Sequence, residues 1–296
     1  RPTSTMTAML IRASKITQQT MPEASMAPNW SRAWAETIFD LQDDVGIVLC
    51  MVFARSAAMA FNRVVDWRFD AANPRTVKRH IPSGLLNRDT VIWFTVLSSA
   101  AFVASTLLFL PNRWPLYLSL PVLVFLCGYS LTKRFTSLAH FWLGIALGLS
   151  PIAAWWALRG VWLVSHPLDS LPALTVGTAV LLWVAGFDII YACQDQEYDS
   201  RAGLRSVPVR WGIVGALRIA AICHAGMIVV LAALPLVERI GGPPLGLGVI
   251  YAIGLLAIAV LLIVEHALVK PHDLGRVNVA FFQVNVTIAV ALLAIV

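Results

Sequence analysis

Long apolar runs, separated by short polar stretches, recur along the chain from residue 45 to its end. Each run is close to the roughly 20 residues that an α-helix needs to cross a bilayer. The pattern predicts an all-α polytopic membrane protein, built as one bundle over residues 45–296. It predicts about eight transmembrane helices, over residues 45–61, 91–110, 114–132, 138–158, 171–194, 211–235, 243–264 and 277–296.

The first 44 residues do not follow this pattern. They are rich in Thr, Ser, Met and Pro, they end in the acidic FDLQDD, and no segment among them is long and apolar enough to cross a bilayer. A signal peptide also fits poorly, because no apolar stretch follows the early basic residues. We therefore predict a poorly ordered polar segment over 1–44 and a separate transmembrane domain over 45–296.

Composition excludes a soluble globular protein. Of the 296 residues, 58% are hydrophobic and 13% are charged, whereas soluble domains carry roughly 25% charged residues. The 4 cysteines form no CxxC pair, and the 6 histidines lack the spacing of metal ligands. Neither a disulfide framework nor a zinc site is therefore predicted.

The basic residues indicate how the chain is oriented. They are concentrated in the loops after the first, third, fifth and seventh predicted helices, whereas the intervening loops carry only Arg113, Arg159 and Arg239. Because Lys and Arg favour cytoplasmic loops, this bias places the odd-numbered exits in the cytoplasm. The net charge of +6 follows from this topology, so we predict a lipid bilayer as the environment and no nucleic-acid partner.

An acidic segment follows the first predicted helix. Residues 62–70 read NRVVDWRFD, which spaces Asn62, Asp66 and Asp70 four residues apart. In a helix these side chains share one face. Two carboxylates one turn apart repel each other, so a divalent cation between them is the obvious partner, although each aspartate could instead pair with a nearby arginine.

A second acidic segment follows the fifth predicted helix. Residues 187–201 read FDIIYACQDQEYDSR, in which Asp188, Asp195 and Asp199 are spaced by seven and four and Tyr191 lies nearby. Four crossings separate the two segments, an even number, so both emerge on the same side of the membrane. We expect their five carboxylates and one amide to converge on one cavity mouth.

Such a cluster favours one kind of chemistry. Carboxylates at a membrane edge are costly and by default functional. Oxygen ligands without Cys or His suit Mg²⁺, which typically binds one or two carboxylates together with substrate phosphates. A diphosphate held this way is a leaving group being stabilised, and a long apolar chain attached to it would lie between transmembrane helices. The pattern thus predicts prenyl transfer.

These residues resemble the motifs of the UbiA superfamily of intramembrane aromatic prenyltransferases. The family pattern NxxxDxxxD matches Asn62, Asp66 and Asp70, and DxxYxxxDxxxD matches residues 188–199. Further matches are the cap loop NPRTVKRHIPSG, the run YSLTKR with Tyr129 and Lys133, and the run GLRSVPVRWG. The family has nine helices with cytoplasmic cap loops, and the polar segment 1–44 stands where its first helix would be.

The resemblance implies a role for each matched residue. Two Mg²⁺ ions on the diphosphate would be held by four aspartates, Asp66, Asp70, Asp195 and Asp199, with Asn62 and Asp188 completing the site. Lys133 and Tyr129 would contact the diphosphate or the allylic cation. Arg55, two turns before Asn62, would face the carboxylate of the acceptor, and Tyr191 would stabilise the cation through its ring.

The resemblance also implies a reaction and a compartment. The expected activity is Mg²⁺-dependent transfer of a polyprenyl group from polyprenyl diphosphate to an aromatic acid such as 4-hydroxybenzoate, in ubiquinone or menaquinone biosynthesis. A dihydroxynaphthoate is the alternative acceptor. The expected location is the bacterial inner membrane, with cap loops 71–90 and 200–210 as a cytoplasmic lid. A membrane transporter and an inactive scaffold are the alternatives of another class, and no oligomeric state is predicted.

Overall fold

The fold is a bundle of α-helices. The computed structural model describes residues 30–295, with side chains from residue 41 onward, and no β-strand occurs among them. In chain order the helices are α1 (Trp30–Ala72), α2 (Arg88–Ser105), α3 (Trp114–Thr132), α4 (Ala139–Leu163), α5 (Leu171–Ala192), α6 (Gln196–Arg201), α7 (Val207–Ala233), α8 (Val249–Leu268), α9 (Val277–Val279) and α10 (Asn285–Ile295).

Tighter or wider turns extend several of these helices. The 3-10 turns are Thr106–Phe109, Pro167–Ser170, Cys193–Asp195 and Leu234–Ile240, and a π turn, Ala280–Val284, joins α9 to α10. With these extensions, 8 segments of the described chain are long and apolar enough to cross a membrane. The predicted all-α multi-pass membrane fold is confirmed.

The first helix is longer than the apolar run that predicts it. It begins at Trp30 and continues to Ala72 without a break, so the acidic segment 62–70 lies on the last turns of a rigid helix. Residues 30–44 belong to the same helix, whereas residues 1–29 lie outside the described part of the chain. The division of the chain at residue 44 stays a prediction.

Two glycines allow α4 and α5 to lie close together. A Cβ added at Gly144 would lie 2.5 Å from the carbonyl oxygen of Leu181, and one at Gly148 would lie 2.4 Å from that of Gly177. Real side chains cannot approach a backbone oxygen so closely, so this contact depends on small residues one turn apart. The close packing holds the acidic end of α5 at a defined height against α4.

The loops that carry the acidic segments lie at one end of the bundle, called the motif end below. The backbone N–H of Arg205 donates to the carbonyl of Lys133 at 2.7 Å, which joins the loop after α6 to the loop after α3. Val269 and Val277, which flank the loop after α8, pack in one buried cluster with Ile189 and Ile190 of α5. The loops after α3, α6 and α8 therefore share this end.

A buried polar network lies inside the bundle. The Asn285 side-chain amide donates from Nδ2 to Glu265 Oε1 at 2.9 Å and to the carbonyl of Ala280 at 3.2 Å. Trp183 Nε1 donates to Asn285 Oδ1 at 2.7 Å. His224 Nδ1 lies 3.0 Å from His266 Nε2. Glu265 is 0% exposed, so its hydrogen bond lies inside the bundle. These polar contacts join α5, α8 and the π turn.

Candidate active site

The first acidic segment presents its three polar side chains toward the motif end of the bundle. Asn62 Nδ2 donates to Asp66 Oδ2 at 2.7 Å, so the amide holds the carboxylate one turn further along α1. Asp66 Oδ1 accepts from Arg134 Nη2 at 2.9 Å. Asp70 is buried and accepts from Arg79 Nη1 at 2.6 Å. Each carboxylate thus has an arginine from another element or from the loop that follows α1.

The second acidic segment lies across from the first. Asp195 Oδ1 accepts from Arg75 Nε at 2.9 Å, and Asp195 Oδ2 from Arg75 Nη2, so the guanidinium binds the carboxylate with two parallel hydrogen bonds. Asn73 Nδ2 adds a long contact to Asp195 Oδ1 at 3.4 Å. Asp199 Oδ2 lies 3.1 Å from Lys133 Nζ. Such charge-assisted bonds are roughly twice as strong as neutral ones.

Two contacts bring the segments together. Arg75 follows α1 in the chain and binds Asp195 of the second segment. The hydroxyl of Tyr198, on α6, donates to the carbonyl of Phe69 at the end of α1, at 2.7 Å. The two acidic segments are therefore in contact, through residues more than 100 positions apart in the chain, whereas a cavity mouth shared by all five carboxylates stays a prediction.

His140 holds the first aspartate of the second segment. Its ring is 0% exposed, and its Nδ1 lies 2.6 Å from Asp188 Oδ2. The backbone N–H of Val207 donates to Nε2 of the same ring at 3.4 Å. Because a backbone N–H can only donate, Nε2 is the acceptor and the ring proton is on Nδ1, pointing at Asp188. This hydrogen bond fixes the orientation of the Asp188 carboxylate.

The two tyrosines named from the sequence lie in the site. Tyr129 is half-buried near the end of α3, and its hydroxyl is close enough to Asp66, Asp188 and Asp199 to interact with all three electrostatically. The guanidinium of Arg75 lies over the Tyr191 ring, 4.7 Å from its centroid. The face of this ring is therefore already used to bind a cation.

The charge of Arg75 is secured by its neighbours. Partial burial disfavours the guanidinium, but Asp195 and then Tyr191 more than offset this cost, so the pKa of Arg75 is raised above its ordinary value. Arg75 therefore stays charged at all accessible pH values, and in this arrangement it neutralises Asp195.

Arg55 is not part of this cluster. It is exposed on α1, and it forms no ion pair or hydrogen bond with the side chains that the structure describes. Helical spacing places it two turns before Asn62, on the same face. Its predicted role toward an acceptor stays a prediction.

The carboxylate oxygens of the site are suitable ligands for a hard cation, but in this structure they are not close enough together to bind one. Among residues 41–295, no three His, Cys, Asp or Glu side chains are close enough together to hold a metal. Arginine and lysine side chains instead pair with four of the aspartates, Asp66, Asp70, Asp195 and Asp199. One buried carboxylate oxygen is nevertheless available as a metal ligand. Asp70 Oδ2 accepts no hydrogen bond, and Arg63 Nη1 lies 3.7 Å from it. An all-oxygen set with a spare buried oxygen suits Mg²⁺.

Sequence reasoning named Lys133 but missed the arginines and the histidine of the site. Arg75 and Arg79 are visible only as members of the cap loop, and nothing in the sequence assigns each to one aspartate. Arg134 follows Lys133 directly, so charge alone does not separate their roles. His140 is the second residue of α4. The crossing parity that places the aspartates at the motif end would have placed His140 at the same end.

Comparison with known proteins agrees with this geometry. The model of the UbiA prenyltransferase family matches residues 30–287. The chain belongs to the UbiA prenyltransferase family. A 4-hydroxybenzoate octaprenyltransferase from Methylococcus capsulatus is 30% identical over 86% of this chain and 83% of that relative. The predicted family and the predicted prenyltransferase activity are confirmed, and membership in this family speaks against the transporter alternative.

Solved UbiA structures share the fold. An apo UbiA homolog from Aeropyrum pernix K1 is 28% identical, with a TM-score of 0.78 over 99% of this chain and 97% of that chain. A UbiA homolog from Archaeoglobus fulgidus, bound to DMAPP and Mg²⁺, is 16% identical, with a TM-score of 0.58 over 100% of this chain and 98% of that chain. The helical arrangement described above is thus the UbiA arrangement.

Proposed function

We propose that this UbiA prenyltransferase transfers a polyprenyl group from a polyprenyl diphosphate to 4-hydroxybenzoate, in quinone biosynthesis. The observation that carries the proposal is the convergence of two acidic segments and their basic partners at the end of one apolar bundle. The similarity to a 4-hydroxybenzoate octaprenyltransferase supports the choice of donor and acceptor.

Asp66, Asp70, Asp195 and Asp199 are the proposed Mg²⁺ ligands, and Asn62 and Asp188 complete the site. The Archaeoglobus homolog binds Mg²⁺ together with DMAPP, and the oxygen donors of this site are of the kind that the ion prefers. When bound, Mg²⁺ supplies positive charge that stabilises the leaving diphosphate. The buried Oδ2 of Asp70 accepts no hydrogen bond, so it is available as a ligand without breaking one.

The basic side chains have a second task in this proposal. Arg75, Arg79 and Lys133 now bind aspartates, and all three side chains are about one third exposed. Because they reach the site from loops or a helix end, they can turn from a carboxylate to a phosphate oxygen. Arg75 and Arg79 then bind phosphate with a planar fork, and Lys133 acts as a point charge.

The allylic cation needs an electron-rich side chain nearby that does not react with it. The Tyr191 ring faces the guanidinium of Arg75 at 4.7 Å, so moving Arg75 to the diphosphate exposes a ring face that can stabilise the cation. Tyr129 lies among the aspartates, where its hydroxyl can donate to the diphosphate. Water must be excluded, because hydrolysis competes with prenylation, and cap loops 71–90 and 200–210 are the proposed lid.

The aromatic acceptor attacks the cation through a ring carbon and then loses the ring proton to a base. Asp188 is positioned for this by the Nδ1–H of His140 at 2.6 Å, which leaves its other oxygen for the incoming proton. Arg55 is the proposed partner of the acceptor's carboxylate. The location we propose is the bacterial inner membrane, with the motif end in the cytoplasm, as the basic loops indicate.

A product assay tests this function. Membranes that contain the chain are supplied with Mg²⁺, a polyprenyl diphosphate, 4-hydroxybenzoate and a dihydroxynaphthoate, and the lipid extract is analysed by mass spectrometry. Prenylated 4-hydroxybenzoate that disappears in Asp66→Ala and persists in Arg113→Ala, an exposed control between α2 and α3, supports the proposal. A prenylated naphthoate would change the acceptor, and no product from folded protein would favour an inactive scaffold.

A further inference from the structure

A large basic cleft lies beside the active site, along the last turns of α1. Its volume is about 910 Å³, and it opens at the motif end between the last turns of α1, the start of α2 and α6. Four arginines and the aromatic residues Trp67 and Phe69 contribute to its lining; the arginines are Arg68, Arg88, Arg134 and Arg201. Asp66 and Asp70 do not line it.

Two of these arginines share one aromatic ring without a carboxylate between them. The guanidinium carbons of Arg68 and Arg88 lie 5.4 Å and 5.9 Å from the centroid of the Trp67 ring. Among the described residues, no carboxylate lies within ion-pair distance of either. Two like charges held on one indole repel each other, and an anion bound between them would remove that repulsion.

The cleft stands at the level where a lipid headgroup would lie. Arg88 is the first residue of α2, and Trp93, Phe94 and Leu97 of the same helix are 66%, 52% and 65% exposed. Trp93 lies about 7.5 Å further along the helix axis, from the rise per residue. Arg88 therefore begins a helix whose first turns carry exposed aromatic and aliphatic side chains, which is the arrangement expected at a bilayer interface.

We propose that this cleft binds the phosphate headgroup of an anionic phospholipid, with Arg68 and Arg88 as the phosphate ligands. The acyl chains then lie against the exposed face of α2. Basic pockets between membrane helices bind headgroups in this way, and arginine matches the geometry of a phosphate. The site is separate from the diphosphate site and does not depend on the reaction.

A bound headgroup would also act on the active site through Arg134. This side chain lines the cleft and donates to Asp66 Oδ1 at 2.9 Å and to the carbonyl of Val65 at 3.0 Å. A phosphate in the cleft competes with Asp66 for the same guanidinium. The consequence, which rests on the proposed function, is that anionic lipid frees Asp66 for Mg²⁺ and lowers the Mg²⁺ concentration needed for half-maximal activity.

Native mass spectrometry of the purified, delipidated full chain tests the binding without any activity. The protein is titrated with phosphatidylglycerol and, in parallel, with phosphatidylcholine, which carries no net charge. Three proteins are compared: wild type, Arg68→Gln/Arg88→Gln and, as a matched control, Arg113→Gln/Arg239→Gln, whose two exposed arginines lie at the other end of the bundle. Thermal unfolding confirms that each variant is folded, and the single variants Arg68→Gln and Arg88→Gln replace the first variant if it is not.

The proposal expects wild type and the control to prefer phosphatidylglycerol, and the cleft variant to bind it about tenfold or more weakly, since each basic residue near an anionic lipid contributes to the attraction. Equal binding by the cleft variant and the control would overturn it. Displacement of phosphatidylglycerol by millimolar inorganic phosphate would also overturn it, because the site would then serve a soluble anion. If phosphatidylglycerol does not change the Mg²⁺ concentration needed for half-maximal activity, only the proposed link through Arg134 is wrong.

Discussion

Replacing Arg75 with Met removes the cation from a buried carboxylate. Asp195 is 8% exposed, and Arg75 supplies it with two charge-assisted hydrogen bonds. Losing one partner of a fully buried pair costs roughly 3–5 kcal/mol, whereas an exposed pair is worth about 0–1 kcal/mol. Since the Arg75 side chain is 32% exposed, water can partly replace it, and we expect about 2 kcal/mol of lost stability.

Thermal unfolding of the purified protein measures this cost. A loss of about 2 kcal/mol corresponds to a fall in Tm on the order of 4–8 °C, by the scaling for chains of similar length. The matched control is Arg201→Met on α6, whose partner Glu197 forms an ion pair in which both side chains are more than three quarters exposed. This control should lose less than about 0.5 kcal/mol.

A second substitution separates lost charge from lost packing. Adding Asp195→Asn to Arg75→Met removes the unpaired carboxylate, so the double variant should recover much of the lost Tm. The Tm difference between Arg75→Met and the double variant measures this recovery. The reasoning is refuted if Arg75→Met is no less stable than Arg201→Met, or if the double variant is less stable than Arg75→Met.

Three further predictions concern other contacts. Asn285→Ala leaves Glu265 and Trp183 without their hydrogen-bond partner inside the bundle, so thermal unfolding should show a loss of about 1–3 kcal/mol; unchanged Tm would contradict this. His140→Phe keeps a buried ring but frees Asp188, and it should lower kcat with little change in the KM of the donor. Gly144→Val should lower Tm, because its side chain forces α4 away from α5. Gly226→Val should lower Tm less, because a Cβ there lies 3.2 Å from the flexible end of the Leu182 side chain.

The helices and the acidic end of the bundle could be predicted from the sequence because both depend on local regularities. Apolar length sets a membrane crossing, and a spacing of four places Asp66 and Asp70 on one helical face. The parity of four crossings then places Asp195 and Asp199 at the same end. These arguments need no knowledge of which helix packs against which.

The pairing inside the site could not be predicted, because it depends on tertiary contacts. His140 and Asp188 are 48 positions apart, and Arg75 reaches Asp195 across 120 positions. Hydropathy also missed the first helix's beginning at Trp30, since polar residues can continue a helix whose apolar part lies in the membrane. Arg55 shows the opposite case: helical spacing places it on the face of Asn62, yet it contacts no other site residue that the structure describes.

The central claim is that both acidic segments hold one Mg²⁺–diphosphate unit. The most direct measurement is calorimetric binding of a non-reactive prenyl thiodiphosphate to wild type, Asp66→Asn and Asp195→Asn, each with and without Mg²⁺. We predict binding to wild type that requires Mg²⁺, and at least a tenfold loss in either variant. Mg²⁺-dependent binding that survives in one of the two variants would contradict the account, because a single segment would then suffice.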